Sequence, residues 1–260
     1  MRTLRTAAPV VVLVAAMSLS VTGCGVGAGS TDSSAPRGET SAPTQLSPVE
    51  KLADAAAKTN QGVMTVVLQH SGLTADHRMD PANKKATMSI AIPDPAGDTL
   101  RAELIQIGTD LYVRTRDLPG VPKMWMHIGV ATLPAGSSFN LLAESDHTGA
   151  ADLVSCVVTA KRKGGADFVG TLDLTRSHSI SRKVLDGLGP KATAVPFSAV
   201  TSPDGNFFEF NIDVPSVDPT YGALRYTYSR SDGVDAKRPA ASEVTDITAL
   251  PRSVIDRFEL

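Results

Sequence analysis

Val21-Thr22-Gly23-Cys24 is the stretch of this chain whose residue types and spacing spell out a covalent reaction. It closes an apolar run on a cysteine preceded by small residues, the pattern of a lipobox, where a peptidase cuts before the cysteine and the thiol is acylated. Arg2 and Arg5 form a positive leader, and Ala7 to Met17 an apolar run suited to a secretory signal and too short to span a bilayer. Residues 1–23 are therefore read as a lipoprotein signal peptide and Cys24 as the lipidation site. Such a chain is expected on the extracytoplasmic face of the cell membrane, held by a lipid anchor.

No second reactive grouping emerges. With Cys24 acylated, Cys156 has no partner for a structural disulfide, and its place between Val154 and Val158 in an apolar alternation reads as a buried, inert thiol. His70, His77, His127, His147 and His178 are scattered, with no His-x-x-x-His pair, and read as surface or loop residues. There is no Gly-x-Ser-x-Gly elbow and no phosphate-binding loop, and Gly25, Gly27 and Gly29 follow no strand. The expectation is no catalytic residue, no metal, no cofactor and no enzymatic activity. Removing Arg2 and Arg5 from the 25 basic residues leaves 23 against 27 acidic ones, a formal charge of −4, which excludes a nucleic-acid partner. Lys161-Arg162-Lys163 beside Gly164-Gly165 reads as a solvated hairpin tip.

The elements that would carry an anchored function begin after a tether. Residues 24–46 are the lipidated cysteine and a small, polar, proline-punctuated linker; the 22 residues from Gly25 to Leu46 would reach about 26 Å as a flexible coil. Residues 47–260 then read as one domain. Ser47-Pro48-Val49-Glu50 is a capping box, and Val49, Leu52, Ala53, Ala56 and Ala57 follow at helical spacing to about Asn60. From Gln61 the apolar period becomes two: Met64, Val66 and Leu68; then Met88, Ile90 and Ile92 after a loop holding Asp80-Pro81; then Leu100, Ala102 and Leu104. Strands are also expected at 111–113, 123–128, 154–158, 168–174, 195–199, 208–214 and 224–228, about ten in all, each apolar on one face. Helices are expected over 138–145 and 179–188. The tail from Val234 is unassigned, with Val254, Ile255 and Phe258 allowing a short helix.

Together the lipobox, polar tether, capped first helix, one-sided antiparallel meander and inserted helices resemble the LppX/LprG family of actinobacterial lipoproteins, which share a half-barrel fold with the LolA/LolB lipoprotein carriers. The stretches carrying the likeness are Val49 to Asn60 into Gly62 to Leu68, Gly108-Thr109-Asp110-Leu111-Tyr112-Val113 followed by Trp125, Phe168 to Leu174, Asp204 to Val214, and Tyr226 to Gly233 into Val244. The resemblance implies an α+β fold: a strongly curved antiparallel half-barrel sheet, covered by a few helices, around a hydrophobic cavity that holds an acylated lipid for storage or transfer.

The apolar faces of the strands make Met88, Ile90, Leu104, Leu172, Phe208 and Phe210 the candidate cavity lining. Tyr112, Trp125, Tyr226 and Tyr228 have the apolar body and polar tip suited to a cavity mouth, although ordinary sheet packing uses the same residues. The partners expected are an acylated ligand, the membrane through Cys24, and an envelope protein. A reading from another class fits the same periodicity: a structural or interaction lipoprotein with a packed, ligand-free core. Cys24→Ala is expected to leave the protein unlipidated and move it from the membrane to the soluble fraction, read by detergent partitioning. Wild-type protein found soluble and unmodified would contradict the lipobox.

Overall fold

The computed structural model describes residues 46–93, 99–116, 121–134, 137, 139–143 and 146–250. Cys24, the signal, the tether up to residue 45 and the suggested terminal helix lie outside them.

The capping box forms as written. The Ser47 hydroxyl accepts from the Glu50 amide at 3.3 Å, and the Glu50 carboxylate accepts from the Ser47 amide at 2.7 Å, starting α1 (Pro48–Thr59). Its buried stripe is Leu52, Ala55, Ala56 and Thr59, at helical spacing, while Val49 is exposed. Twelve strands then build one sheet: β1 (Met64–His70), β2 (Leu73–Asp80), β3 (Lys85–Pro93), β4 (Thr99–Ile107), β5 (Asp110–Thr115), β6 (Trp125–Gly129), β7 (Val157–Gly164), β8 (Asp167–Leu172), β9 (Val195–Thr201), β10 (Phe207–Ile212), β11 (Leu224–Arg230) and β12 (Val244–Asp246). The spatial order is β12-β6-β5-β4-β3-β2-β1-β11-β10-β9-β8-β7. Neighbours are antiparallel except β12, which runs parallel to β6. The sheet stays open, with β12 and β7 as its edges. Two short helices, α2 (Ala150–Ser155) and α3 (Arg182–Leu188), complete the α+β architecture of the described residues.

The two strands beyond the expected ten are β2 and β12. In β2 the sequence Leu73-Thr74-Ala75-Asp76-His77-Arg78-Met79-Asp80 has no clean apolar alternation, and β12 has three residues. The helix expected over 138–145 is absent from the described residues there, because Leu141 gives its amide to the Gln106 side-chain carbonyl at 2.7 Å instead of to a helical turn. Helix α2 occupies part of the stretch read as a strand through Val154 and Cys156. Asp146 accepts the Asp152 amide at 2.7 Å, which ties down its first turn, and Cys156 ends it.

Phe208 also departs from expectation. Strict alternation would put it on the inner face with Phe210, but the pairing shifts between Phe207/Thr201 and Glu209/Val200, a β-bulge that inserts one residue. Phe207 takes the inner position, stacked edge-on against Phe210 at 5.6 Å, and Phe208 is 53% exposed on the outside. It is therefore not part of any interior lining.

Candidate functional site

Because a strand's side chains alternate, the pairing register fixes rows of residues across the inner face. The first row is Met64, Met79, Ala86, Gln106, Leu111 and Ile128, each at most 2% exposed. The second is Tyr228, Val66, His77, Met88, Leu104, Val113 and Met126; here His77 and Met88 are only half-buried. In the third, Phe210, Tyr226 and Ile90 are buried, but Leu68, Ala75 and Ala102 are half-buried. Beyond it, Phe197, Ile212 and Leu224 are buried while His70, Leu73, Ile92 and Leu100 are half-buried. Cover thus thins in one direction over β1 to β4, toward the β1–β2 turn.

Of the predicted lining, Met88, Ile90 and Leu104 stand together on β3 and β4, Met88 directly opposite Leu104. Phe210 on β10 and Leu172 on β8 lie on the same inner face, but their strands are on the far side of β1 and β11. Ile90, Leu104, Leu172 and Phe210 are buried and packed into one core. Tyr226 and Tyr228 point inward, whereas the alternation of β5 and β6 puts Tyr112 and Trp125 on the outer face, where the Arg114 guanidinium lies 4.3 Å from the Trp125 ring centre. The four aromatics do not frame one mouth.

At the thinly covered end an apolar pocket is lined by His70, Leu174, Ile180, Val184, Val214, Tyr221, Gly222 and Leu224, with a volume of about 20 Å³. That is about the room of one water molecule and falls far short of the roughly 300–1,000 Å³ of ligand pockets. Helix α3 closes tightly here: a Cβ at Gly187 would stand 1.9 Å from the Tyr221 hydroxyl, so only glycine permits this approach.

Polar ties hold the chain that covers the other end. Asn60 donates to Asp146 at 2.8 Å and accepts from the Thr148 hydroxyl at 2.6 Å, linking the end of α1 to the segment before α2. Asp152 on α2 accepts from the Ser177 and Ser179 hydroxyls at 2.6 and 2.7 Å and from the His178 amide at 3.0 Å. His178 Nδ1 is 3.2 Å from Asp152, yet both serines bond the carboxylate itself, so the arrangement lacks the serine-to-imidazole bond of a nucleophilic relay. Cys156 is buried, and its thiol is pushed up to about 12, chiefly by burial, which makes it unreactive. No cluster of three or more metal-ligating side chains occurs among the described residues.

Two histidines read as surface or loop residues turn out to face the interior. His77 lies on β2, the strand that sequence patterning misses, and burial lowers its pKa to about 4, reinforced by the nearby His147 and opposed by donation to the Leu141 carbonyl. Burial lowers His147 as well, opposed by the nearby Asn60 backbone, the Asp146 carboxylate and the Ala143 backbone. Burial raises Asp146, working against them as pH falls. The Tyr228 hydroxyl is held well above 10, mainly by burial, with Tyr226 and Asp146 adding to the effect.

No protein-family model matches this chain, and no curated protein matches it. Solved structures similar to it include a hypothetical protein from Chlamydia trachomatis, at 10% identity and a TM-score of 0.26, covering 75% of this chain and 98% of that one. At that score the likeness carries no argument about fold or function.

His77 generates a pH prediction. A histidine whose folded pKa lies below its unfolded value of about 6.5 contributes stability that is complete above pH 6.5 and lost as pH falls toward 4. The loss should approach about 3 kcal/mol, from roughly 1.4 kcal/mol per pH unit. Urea melts across this window should show that slope in wild type and a flatter one in His77→Phe. Equal slopes would contradict the buried, neutral imidazole.

Proposed function

We propose that this chain is a membrane-anchored extracytoplasmic lipoprotein that binds an acylated lipid against the inner face of its sheet, for storage or transfer, without making or breaking a bond. The observation that carries the reading is the apolar stretch of Leu68, Leu73, Ala75, Met88, Ile92, Leu100 and Ala102, left half-covered together with His70 and His77 while the row from Met64 to Ile128 on the same face is shut. At about 0.8 kcal/mol per buried methylene, a 16-carbon chain gains on the order of 12 kcal/mol by leaving water, and a contiguous apolar stripe across four strands suits it. The lipobox at Cys24 supports the same reading, since a carrier of membrane lipids works beside a membrane. In this account the sheet is a half-barrel container, and the acyl chain lies along β1 to β4 instead of in a preformed hollow.

A second reading has its own observation. The pocket of about 20 Å³ and the tight packing of Leu104, Leu172 and Phe210 suit an interaction module with a solid core that engages an envelope protein. The two separate on one pair of variants. Ala102→Trp fills the half-covered stretch and should keep the melting temperature while lowering the lipid extracted with organic solvent from the purified protein, measured by mass spectrometry. Leu104→Trp, one position further in, should instead strain a filled site by about 1–3 kcal/mol. A wild-type extract without lipid, together with destabilisation by both variants, would leave the solid module.

A further inference from the structure

The outer face of the sheet divides into two halves. From β5 to β11 its charges are largely matched: the guanidinium groups of Arg114, Arg78 and Arg225 sit on the carboxylates of Glu103, Asp76 and Glu209. From β10 to β7 the character changes. Two β-bulges lie there on different strands, one between Phe207 and Glu209 on β10 and one between Val157 and Thr159 on β7. Each turns an apolar side chain out to solvent. Phe208 is 53% exposed beside Glu209, and Val158 is 48% exposed beside Thr159, whose hydroxyl meets that of Thr171 at 2.9 Å on the same outer face. Val169, Pro196 and Val200 stand half-buried between the two, alternating with the buried Phe168, Phe197 and Ala199 of the inner face.

The edge strand of this half carries charge that the fold leaves unmatched. Lys161 and Lys163 on β7 are exposed and make no ion pair among the described residues. Arg162 between them donates to the Gly165 carbonyl and lies 5.8 Å from the Phe168 ring centre, contacts that leave its charge intact. Asp167 is the one carboxylate of the β7–β8 hairpin, so three cations against it leave the hairpin two charges positive. Thr171 and Ser198 interrupt the apolar side chains, and Val158 and Phe208 stand on strands about 14 Å apart at the usual spacing, so no continuous apolar core of the protein-interface kind forms. A bilayer asks for no such continuity. Each apolar side chain enters the headgroup boundary by itself, while lysines on long stems reach the phosphates.

We infer that the outer face of β7 to β10 is a docking surface for an anionic lipid bilayer. Phe208 and Val158 enter the headgroup region, and Lys161, Arg162 and Lys163 meet its phosphates. The surface is separate from the inner face proposed for the acyl ligand, and it needs neither that ligand nor acylation of Cys24.

The test uses the full chain carrying Cys24→Ser and Val158→Cys, with an environment-sensitive fluorophore on the introduced thiol; Cys156 is buried and stays unlabelled. A second labelled chain carries Gln69→Cys in place of Val158→Cys, an exposed outer-face position on β1. Vesicles of equal parts phosphatidylglycerol and phosphatidylcholine should shift the emission at 158 to the blue and leave the label at 69 in water. Phosphatidylcholine alone, at the same lipid concentration, should shift neither. Because the readout is local, binding through residues 1–23 moves neither label. Lys161→Ser and Lys163→Ser should each raise the lipid concentration for half the shift about fivefold, and Phe208→Ser about tenfold. All three side chains are exposed, so the variants should melt like the parent chain. No shift at 158, equal shifts with both vesicles or at both positions, or a midpoint indifferent to all three variants would overturn the surface. A shift at 158 with polyglutamate and none with vesicles would overturn it in favour of an acidic protein partner.

Discussion

A sheet with one apolar face must have that face covered, and here the supply of cover is short. Among the described residues, twelve strands are served by α-helices of 12, 6 and 7 residues together with short 3-10 turns and irregular chain. The shortage is not spread evenly. Helix α1 packs against α2, β7 and β10, tied to the segment before α2 by Asn60, Asp146 and Thr148, and the chain at Asn140 and Leu141 bonds Gln106 in the row from Met64 to Ile128, which is shut. Helix α3 with Tyr221 and Leu174 serves β1 and β11 near the other end, and β1 to β4 are left half-covered beyond it.

The way the cover is fastened follows from the same shortage. Few apolar contacts are available to short helices, so hydrogen bonds to buried carboxylates do the positioning. Asp152 accepts three such bonds from residues 177–179, and Asp146 holds both the Asp152 amide and Asn60. A buried carboxylate with one partner removed is costly, because the full desolvation of the charge is then uncompensated. These ties therefore fix the closed end firmly and put the freedom of the fold at the other, where the interactions are apolar and incomplete.

Much of this was legible in the sequence. The capping box at Ser47 fixed the start of α1 because both halves of its reciprocal bonding are local, and strands with an unbroken period, such as Met88-Ser89-Ile90, could be placed directly. What escaped did so for physical reasons. Strand β2 faces the thinly covered region, so its inner positions carry Ala75 and His77, which blur the apolar alternation that a fully covered strand would show. The inward side of His77 was hidden with it, since His77 reads as a loop residue once its strand is missed. A bulge at Phe208 moves that residue outside without any local marker such as glycine, and α2 reads as a strand because its six residues are too few to display a helical period.

The central claim is that an acyl chain lies on the inner face at the thinly covered end. A photoactivatable diazirine on the tail of a palmitoyl lipid, cross-linked to the protein and mapped by peptide mass spectrometry, tests it most directly. The account predicts adducts on the inner-face positions of β2 to β4 near the β1–β2 turn, centred on Leu73, Ala75, Ile92 and Ala102. Adducts confined to the outer face around Phe208, or adducts at Met64, Met79 and Leu111 with none near the turn, would contradict it.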